Sequence, residues 1–301
     1  MQTLLNNKPS AISPMALTPS IGMRRGYAES RNWGASGSPV RIGLALGGGF
    51  ARGIAHAGVL RVLEAHGIPI HCITGVSAGA VVAAAYASGA DTEEIIRAGC
   101  SMRFGDVGRF SLGRMGLVGS QRMNHFLAGL LKSYRFEEMC IPLGVVATDL
   151  STGEPVPFTG TGRVFEPIRG SCAFPGLFQP VNHQGRMLVD GAMSTGMPCA
   201  MARQLGATHV ISVPLPPAPV CALPSNMIQV VNRCFQILQN RFEDSWRSET
   251  DLAIVPDVRG IDWNAFGRGP QLVDAGEAAA LSCLPRIKEW FSKNRQDVVI
   301  Q

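Results

Sequence analysis

Ile70-His71-Cys72-Ile73-Thr74-Gly75-Val76-Ser77-Ala78-Gly79 is an apolar run that breaks on glycine, and alanine-rich residues continue from it to about Ser88. Ile70 to Thr74 reads as a short buried strand, and the small residues after Gly79 as a helix closed by Gly89. The junction fits G-x-S-x-G between a strand and a helix, the setting of a nucleophilic serine. A chain that reverses so sharply needs small flanking residues. The serine then stands above the sheet edge at a helix N-terminus, whose dipole favours developing negative charge. A glycine-rich turn that carries a serine by chance is the plain alternative.

Upstream, structure begins at Arg41. Ile42, Leu44 and Leu46 form a second short strand, which runs into Gly47-Gly48-Gly49-Phe50-Ala51-Arg52-Gly53. From Ala51 to His66 the spacing is helical, with Val59, Leu60, Val62 and Leu63 on one face, and Gly67 caps the end. Strand, helix, strand, helix is the signature of a parallel sheet. Successive glycine amides at the first turn can cradle an anion, which in acyl transfer is the tetrahedral oxyanion. A dinucleotide loop does not fit, because Phe50 or Arg52 stands where glycine is required, and the G-K-[ST] of a P-loop is missing. Arg52 is read either as support for the loop or as an attractor for a lipid phosphate, with a helix-surface arginine as the plain reading.

Further strands are expected at Leu143 to Thr148, Arg186 to Val189 and His209 to Val213. Helices are expected at Cys199 to Leu205, Met227 to Trp246 and Gly276 to Phe291, and Pro214 to Pro219 reads as a loop. Leu188-Val189-Asp190-Gly191-Ala192 puts an acid at the end of a strand, well placed beside the two glycine turns at the carboxyl edge of the sheet. Asp-Gly is also an ordinary turn. A Ser-His-Asp triad is the competing chemistry. His209 opens a strand, His183 lies in a turn before Asp190, and His56 sits on the helix after the glycine loop in a packed or surface role. Between Ser101 and Met123, glycines alternate with apolar residues and with Arg103, Arg109, Arg114 and Arg122, around the single acid Asp106. That mixture reads as a mobile segment able to rest on an anionic bilayer and cover a site, or as a loop packed back onto the sheet.

Hydrophobic residues make up 46% of the 301 and charged residues 16%, which is globular rather than disordered. A net charge of +5 suits acidic partners such as anionic lipid and is too small to argue for nucleic acid, whose motifs are also missing. None of the eight cysteines makes a C-x-x-C pair, so reduced thiols in a cytoplasmic protein are expected, without a zinc site. No apolar run approaches the roughly 20 residues of a membrane helix, and the N-terminus lacks a secretory h-region. Residues 1–39 read as a disordered leader. Arg24, Arg25 and Arg31 give it the charge of an organelle transit peptide, while a plain tail, or residues ahead of a start at Met23, is the other reading. A single domain is expected over 40–292, with a tail at 293–301.

The glycine loop, G-x-S-x-G and D-G-A, in this order, resemble the patatin-like phospholipases. Gly58-Val59-Leu60, Ala147-Thr148-Asp149-Leu150 with Thr152-Gly153, and Ser171-Cys172-Ala173-Phe174-Pro175-Gly176-Leu177-Phe178 extend the likeness to bacterial members. Phe50 departs from it, since many relatives carry glycine or alanine there. The resemblance implies a three-layer α/β/α sandwich with a mostly parallel central sheet. It also implies a Ser77–Asp190 dyad without a catalytic histidine, and an oxyanion loop of Gly47, Gly48, Gly49, Arg52 and Gly53. The implied activity is hydrolysis of lipid or other acyl esters through an acyl-enzyme, with no cofactor or metal, at a cytoplasmic site with peripheral contact to the inner membrane. A catalytically silent membrane-associated regulator of the same fold, and a lipid acyltransferase, are the alternatives.

Overall fold

The computed structural model describes residues 40–113, 115–216 and 223–297; the expected leader lies outside them. The described part opens with β1 (Ile42–Leu46), a short 3-10 turn at Phe50–Ile54, and α1 (Ala55–Ala65). β2 (Ile70–Gly75) and α2 (Ala78–Ala87) follow. β1 pairs in parallel with β2 on one side and with β9 (His209–Val213) on the other. The full order is β10-β9-β1-β2-β5-β8-β7, where β5 is Leu143–Asp149, β7 Val181–His183, β8 Arg186–Asp190 and β10 Leu252–Ala253. The β9–β10, β1–β9, β1–β2 and β2–β5 pairings are parallel; β8 meets β5 antiparallel, as does β6 (Pro155–Phe158).

Alternation along β1 builds the two sides of the sheet. Ile42, Leu44 and Leu46 point into the main core with Val59, Leu60 and Leu63 of α1. Ala45 faces the opposite layer, among Cys199 and Ala202 of the helix Cys199–Gln204 and Trp246. Gly43 lies on that side too, where a Cβ would come within 2.6 Å of the Ala207 Cβ. Large residues on one face and small ones on the other follow from the period-2 geometry of a strand. The long helix Gly269–Asp297 covers α1 so closely that a Cβ on Gly58 would strike the Val273 carbonyl, and one on Gly276 the Ala55 carbonyl.

Several elements differ from the sequence reading. The helix expected at Met227 to Trp246 is two, Met227–Arg241 and Glu243–Ser248, which share Phe242 as a cap. The last helix begins earlier than Gly276 and runs to Asp297, into the stretch expected as a tail. The Ser101–Met123 segment holds a helical turn, Phe104–Val107, and an antiparallel hairpin of β3 (Arg109–Gly113) with β4 (Gly116–Gly119). Its Val107, Val118 and Met123 are buried in the core, while Met115 is 60% exposed. Among the described residues no helix is long and apolar enough to cross a membrane.

Candidate active site

Ser77 sits between β2 and α2 with φ 53° and ψ −128°, a conformation that only tight packing holds in a residue with a Cβ. The packing is close on both sides. A Cβ on Gly75 would strike the Gly79 carbonyl, and one on Gly79 the Leu46 carbonyl, so G-x-S-x-G here is a steric requirement of the turn. The Ser77 amide donates to Ser171 Oγ (2.9 Å), which itself donates to the Val146 carbonyl (2.6 Å). Ser171 ends the helix Phe165–Ser171 and ties the turn to β5. Sequence reasoning quoted this residue for its family likeness without seeing that task.

Asp190 ends β8 beside β5 and is 1% exposed. Burial raises its pKa to about 7, against the opposing pull of hydrogen bonds from the Ala192 amide and the Ser77 hydroxyl. The Ala192 amide N–H donates to Asp190 Oδ1 at 3.0 Å. Cys172 lies close enough for Asp190 to raise its thiol pKa further, after burial as the larger cause. The Ser77 hydroxyl therefore lies near enough to the Asp190 carboxyl to act on it, although the two are far apart in sequence.

The glycine loop enters beside them. The Gly47 amide donates to the Val213 carbonyl of β9 (3.2 Å) and is occupied. Sequence reading had counted it among the oxyanion donors. Gly48 lies against the nucleophile, since a Cβ there would be 3.2 Å from Ser77 Cβ. No partner is recorded for the Gly48 and Gly49 amides among the described residues. Gly53 packs on the nucleophile helix, where a Cβ would come within 2.5 Å of the Ala78 Cβ. Arg52 is buried rather than on a helix surface. Its Nη1 donates to the Pro216 carbonyl (3.3 Å), and burial lowers its pKa against the attraction of Asp262.

Phe50 departs from glycine for a visible reason. Its φ is 53°, which a glycine would adopt freely, yet its ring meets those of Trp263, Phe266, Phe104 and Phe178 at centroid distances of 5.0–6.3 Å. A glycine there would relieve the backbone strain at the cost of that aromatic cluster.

That cluster borders an apolar pocket of about 80 Å³ with Ser77 in its lining. Val81, Phe126 and Leu130 also line it, together with Met102, Val107 and Met123 of the Ser101–Met123 segment. Composition alone could not place it there. None of the three histidines weighed for a triad is recorded as a partner of Asp190. His209 lies at the amino end of β9, the end away from the glycine loop, and packs on Trp290. His183 meets Phe158 edge-on at the far end of the β7–β8 hairpin. His56 is fully buried and bonds the Gly47 carbonyl.

Comparison with known proteins gives the same picture. A lysophospholipase (NTE1) of Mycosarcoma maydis is 32% identical over 232 residues, which cover 73% of this chain and 12% of that protein. An NTE family protein of Mycobacterium tuberculosis is 34% identical over 183 residues, or 60% of this chain and 50% of that protein. The chain thus spans about half or less of the curated relatives it matches. The solved structure of VipD from Legionella pneumophila shares the fold, with a TM-score of 0.56 at 14% identity over 83% of this chain and 67% of that one. A family model described as patatin-like phospholipase matches residues 44–203, a span that includes both glycine turns and Asp190. That match takes in more than half of the sequence, and the chain belongs to the patatin-like phospholipase family.

Proposed function

We propose that the protein hydrolyses carboxylic esters of lipids, with Ser77 as nucleophile, Asp190 as its base, and the amides of Gly48 and Gly49 as the oxyanion hole. One observation carries the reading: Ser77, in the lining of an apolar pocket, lies near enough to the buried Asp190 carboxyl to act on it. A carboxylate with a pKa of about 7 is a far better proton acceptor than a solvated aspartate, and near neutral pH it holds or releases the proton readily. Asp190 takes the hydroxyl proton as Ser77 Oγ attacks the ester carbonyl, then passes it to the leaving alkoxide. In the second half it draws a proton from water as water attacks the acyl-enzyme, and returns it to Ser77 Oγ as that bond breaks and the acid departs. Gly47, Gly53 and Arg52 hold the loop in place.

The pocket suits the acyl chain. Its lining is apolar, and the unbranched Met102 and Met123 can adapt their shape to a chain that enters. The lysophospholipases among the relatives favour a single-chain phospholipid as substrate. Such a substrate comes from a membrane surface, and the positive net charge favours peripheral contact with anionic lipid there. Cys72, Cys100, Cys172, Cys199, Cys234 and Cys283 are free thiols, in keeping with a reducing, cytoplasmic setting.

The test is fluorophosphonate labelling and hydrolysis of a lipid panel by wild type, Ser77→Ala and Asp190→Asn. Labelling and turnover are expected in wild type alone, with lysophospholipids cleaved faster than two-chain phospholipids. Turnover that survives Ser77→Ala would sink the assignment.

A further inference from the structure

We propose that His56 is a positioning residue for the oxyanion hole: its ring N–H holds the Gly47 carbonyl so that the Gly48 amide on the same peptide faces the Ser77 side. This rests on the reading of Ser77 as nucleophile and names a residue which that reading leaves without a task.

The geometry begins with one hydrogen bond. His56 Nε2 lies 2.9 Å from the Gly47 carbonyl oxygen. A carbonyl can only accept, so the proton sits on Nε2. Peptide groups are planar and trans, so the Gly47 C=O and the Gly48 N–H are fixed in opposite directions across one plane. Holding the carbonyl on the α1 side therefore turns the amide the other way. Gly48 is also the loop residue that abuts the nucleophile, with a Cβ position 3.7 Å from Ser77 Oγ. The Gly47 amide, bonded to Val213, fixes the preceding peptide. Two successive peptides are thus held from behind, while the Gly48 amide has no recorded partner of its own among the described residues. A flexible glycine run gains its preorganisation from these contacts, and a donor already in place needs no reorganisation in the transition state.

Among the described residues the ring has no other polar contact. It is 0% exposed, and Nδ1 is buried without a hydrogen-bond partner. An apolar side chain of similar size would fill the same space without an unsatisfied nitrogen. What histidine adds is the one donated bond to Gly47. Burial also pushes its pKa down to about 4, so the ring is neutral in the range where ester hydrolysis is measured, and the loop carries no switching charge.

The experiment compares His56→Gln with His56→Asn. The glutamine amide reaches about as far as Nε2, and the asparagine amide falls short by one bond. Each is assayed on a p-nitrophenyl ester and on its thionoester, with kcat expressed per site titrated to end point by a fluorophosphonate. Any partly unfolded fraction is then excluded from the rate. A thiocarbonyl takes little benefit from an oxyanion hole, so the oxo-to-thiono rate ratio reports the hole itself. His56→Asn is expected to lose about tenfold to a hundredfold in kcat, below the full loss of a donor, with KM nearly unchanged and the rate ratio reduced. His56→Gln is expected to recover most of both. Equal kcat and equal rate ratio in the two variants would overturn the proposal, as would a fall in kcat with an unchanged ratio, which marks a general structural role. Ser77→Ala runs alongside: residual turnover there would discredit the catalytic reading itself rather than the role of His56.

Discussion

Asp190→Asn should yield an inactive protein that is more stable than wild type above neutral pH. The carboxyl is 1% exposed and its pKa is raised from 3.8 to about 7, with burial as the leading cause. Because the folded value lies above the unfolded one, the folded state holds the proton more tightly. The contribution to stability is greatest below about pH 4, where both states are protonated, and is lost as pH climbs to the folded pKa. A gap of about three units corresponds to roughly 4 kcal/mol in all, of which about 2 kcal/mol is lost between pH 5.5 and 8.5. Asparagine keeps an acceptor for the Ala192 amide and carries no charge to bury, so that loss disappears. Urea unfolding of both proteins at pH 5.5 and 8.5 reads the difference. The stability of the variant relative to wild type should rise by about 2 kcal/mol across that interval. An unchanged difference would show that the Asp190 carboxyl is ionised well below neutrality, and the account of its basicity would fall with it.

Three further outcomes follow from the same geometry. In wild type, kcat/KM should climb about tenfold per pH unit below about 7 and flatten above it, because acylation needs the ionised base; a plateau reaching down to pH 5 would contradict this. Ser77→Gly should be more stable than Ser77→Ala by about 1–2 kcal/mol in thermal or urea unfolding, since both lack the hydroxyl and only alanine retains the strain at φ 53°; equal stabilities would deny that strain. Gly48→Ala should lower kcat while leaving KM nearly unchanged, because a Cβ 3.2 Å from Ser77 Cβ crowds the nucleophile and its nearest amide; a pure rise in KM would place the loop in substrate binding instead.

Local chemistry made much of this protein legible. The alternation at Ile42, Leu44 and Leu46, and the glycine that ends each apolar run, mark strands feeding helices, and the observed β1, β2, β5, β8 and β9 lie where those patterns put them. Where the pattern was weak, elements were missed. β10 has two residues and no room for a period. The helix Thr92–Ser101 went unread although Asp91 and Glu94 form a capping box at its start, a signal present in the sequence. At Phe242 the helical spacing continues through a break that only the packing of Phe242 and Trp246 beside Ala45 and Cys199 imposes.

The sequence by itself determined which residues have the chemistry: a serine that must sit between glycines, a strand-end aspartate, and a glycine run after β1. Those are demands of a few consecutive residues, and short-range sterics enforce them. Only the tertiary structure decided which groups meet. Asp190 reaches Ser77 because β8 crosses back antiparallel beside β5, and its pKa is raised because the core closes over it. The Gly47 amide is occupied by Val213 because β9, more than 160 residues later, pairs with β1. His56 can hold the loop because α1 folds back beneath the turn it follows. Burial and long-range pairing depend on the whole chain at once, and no window of sequence contains them.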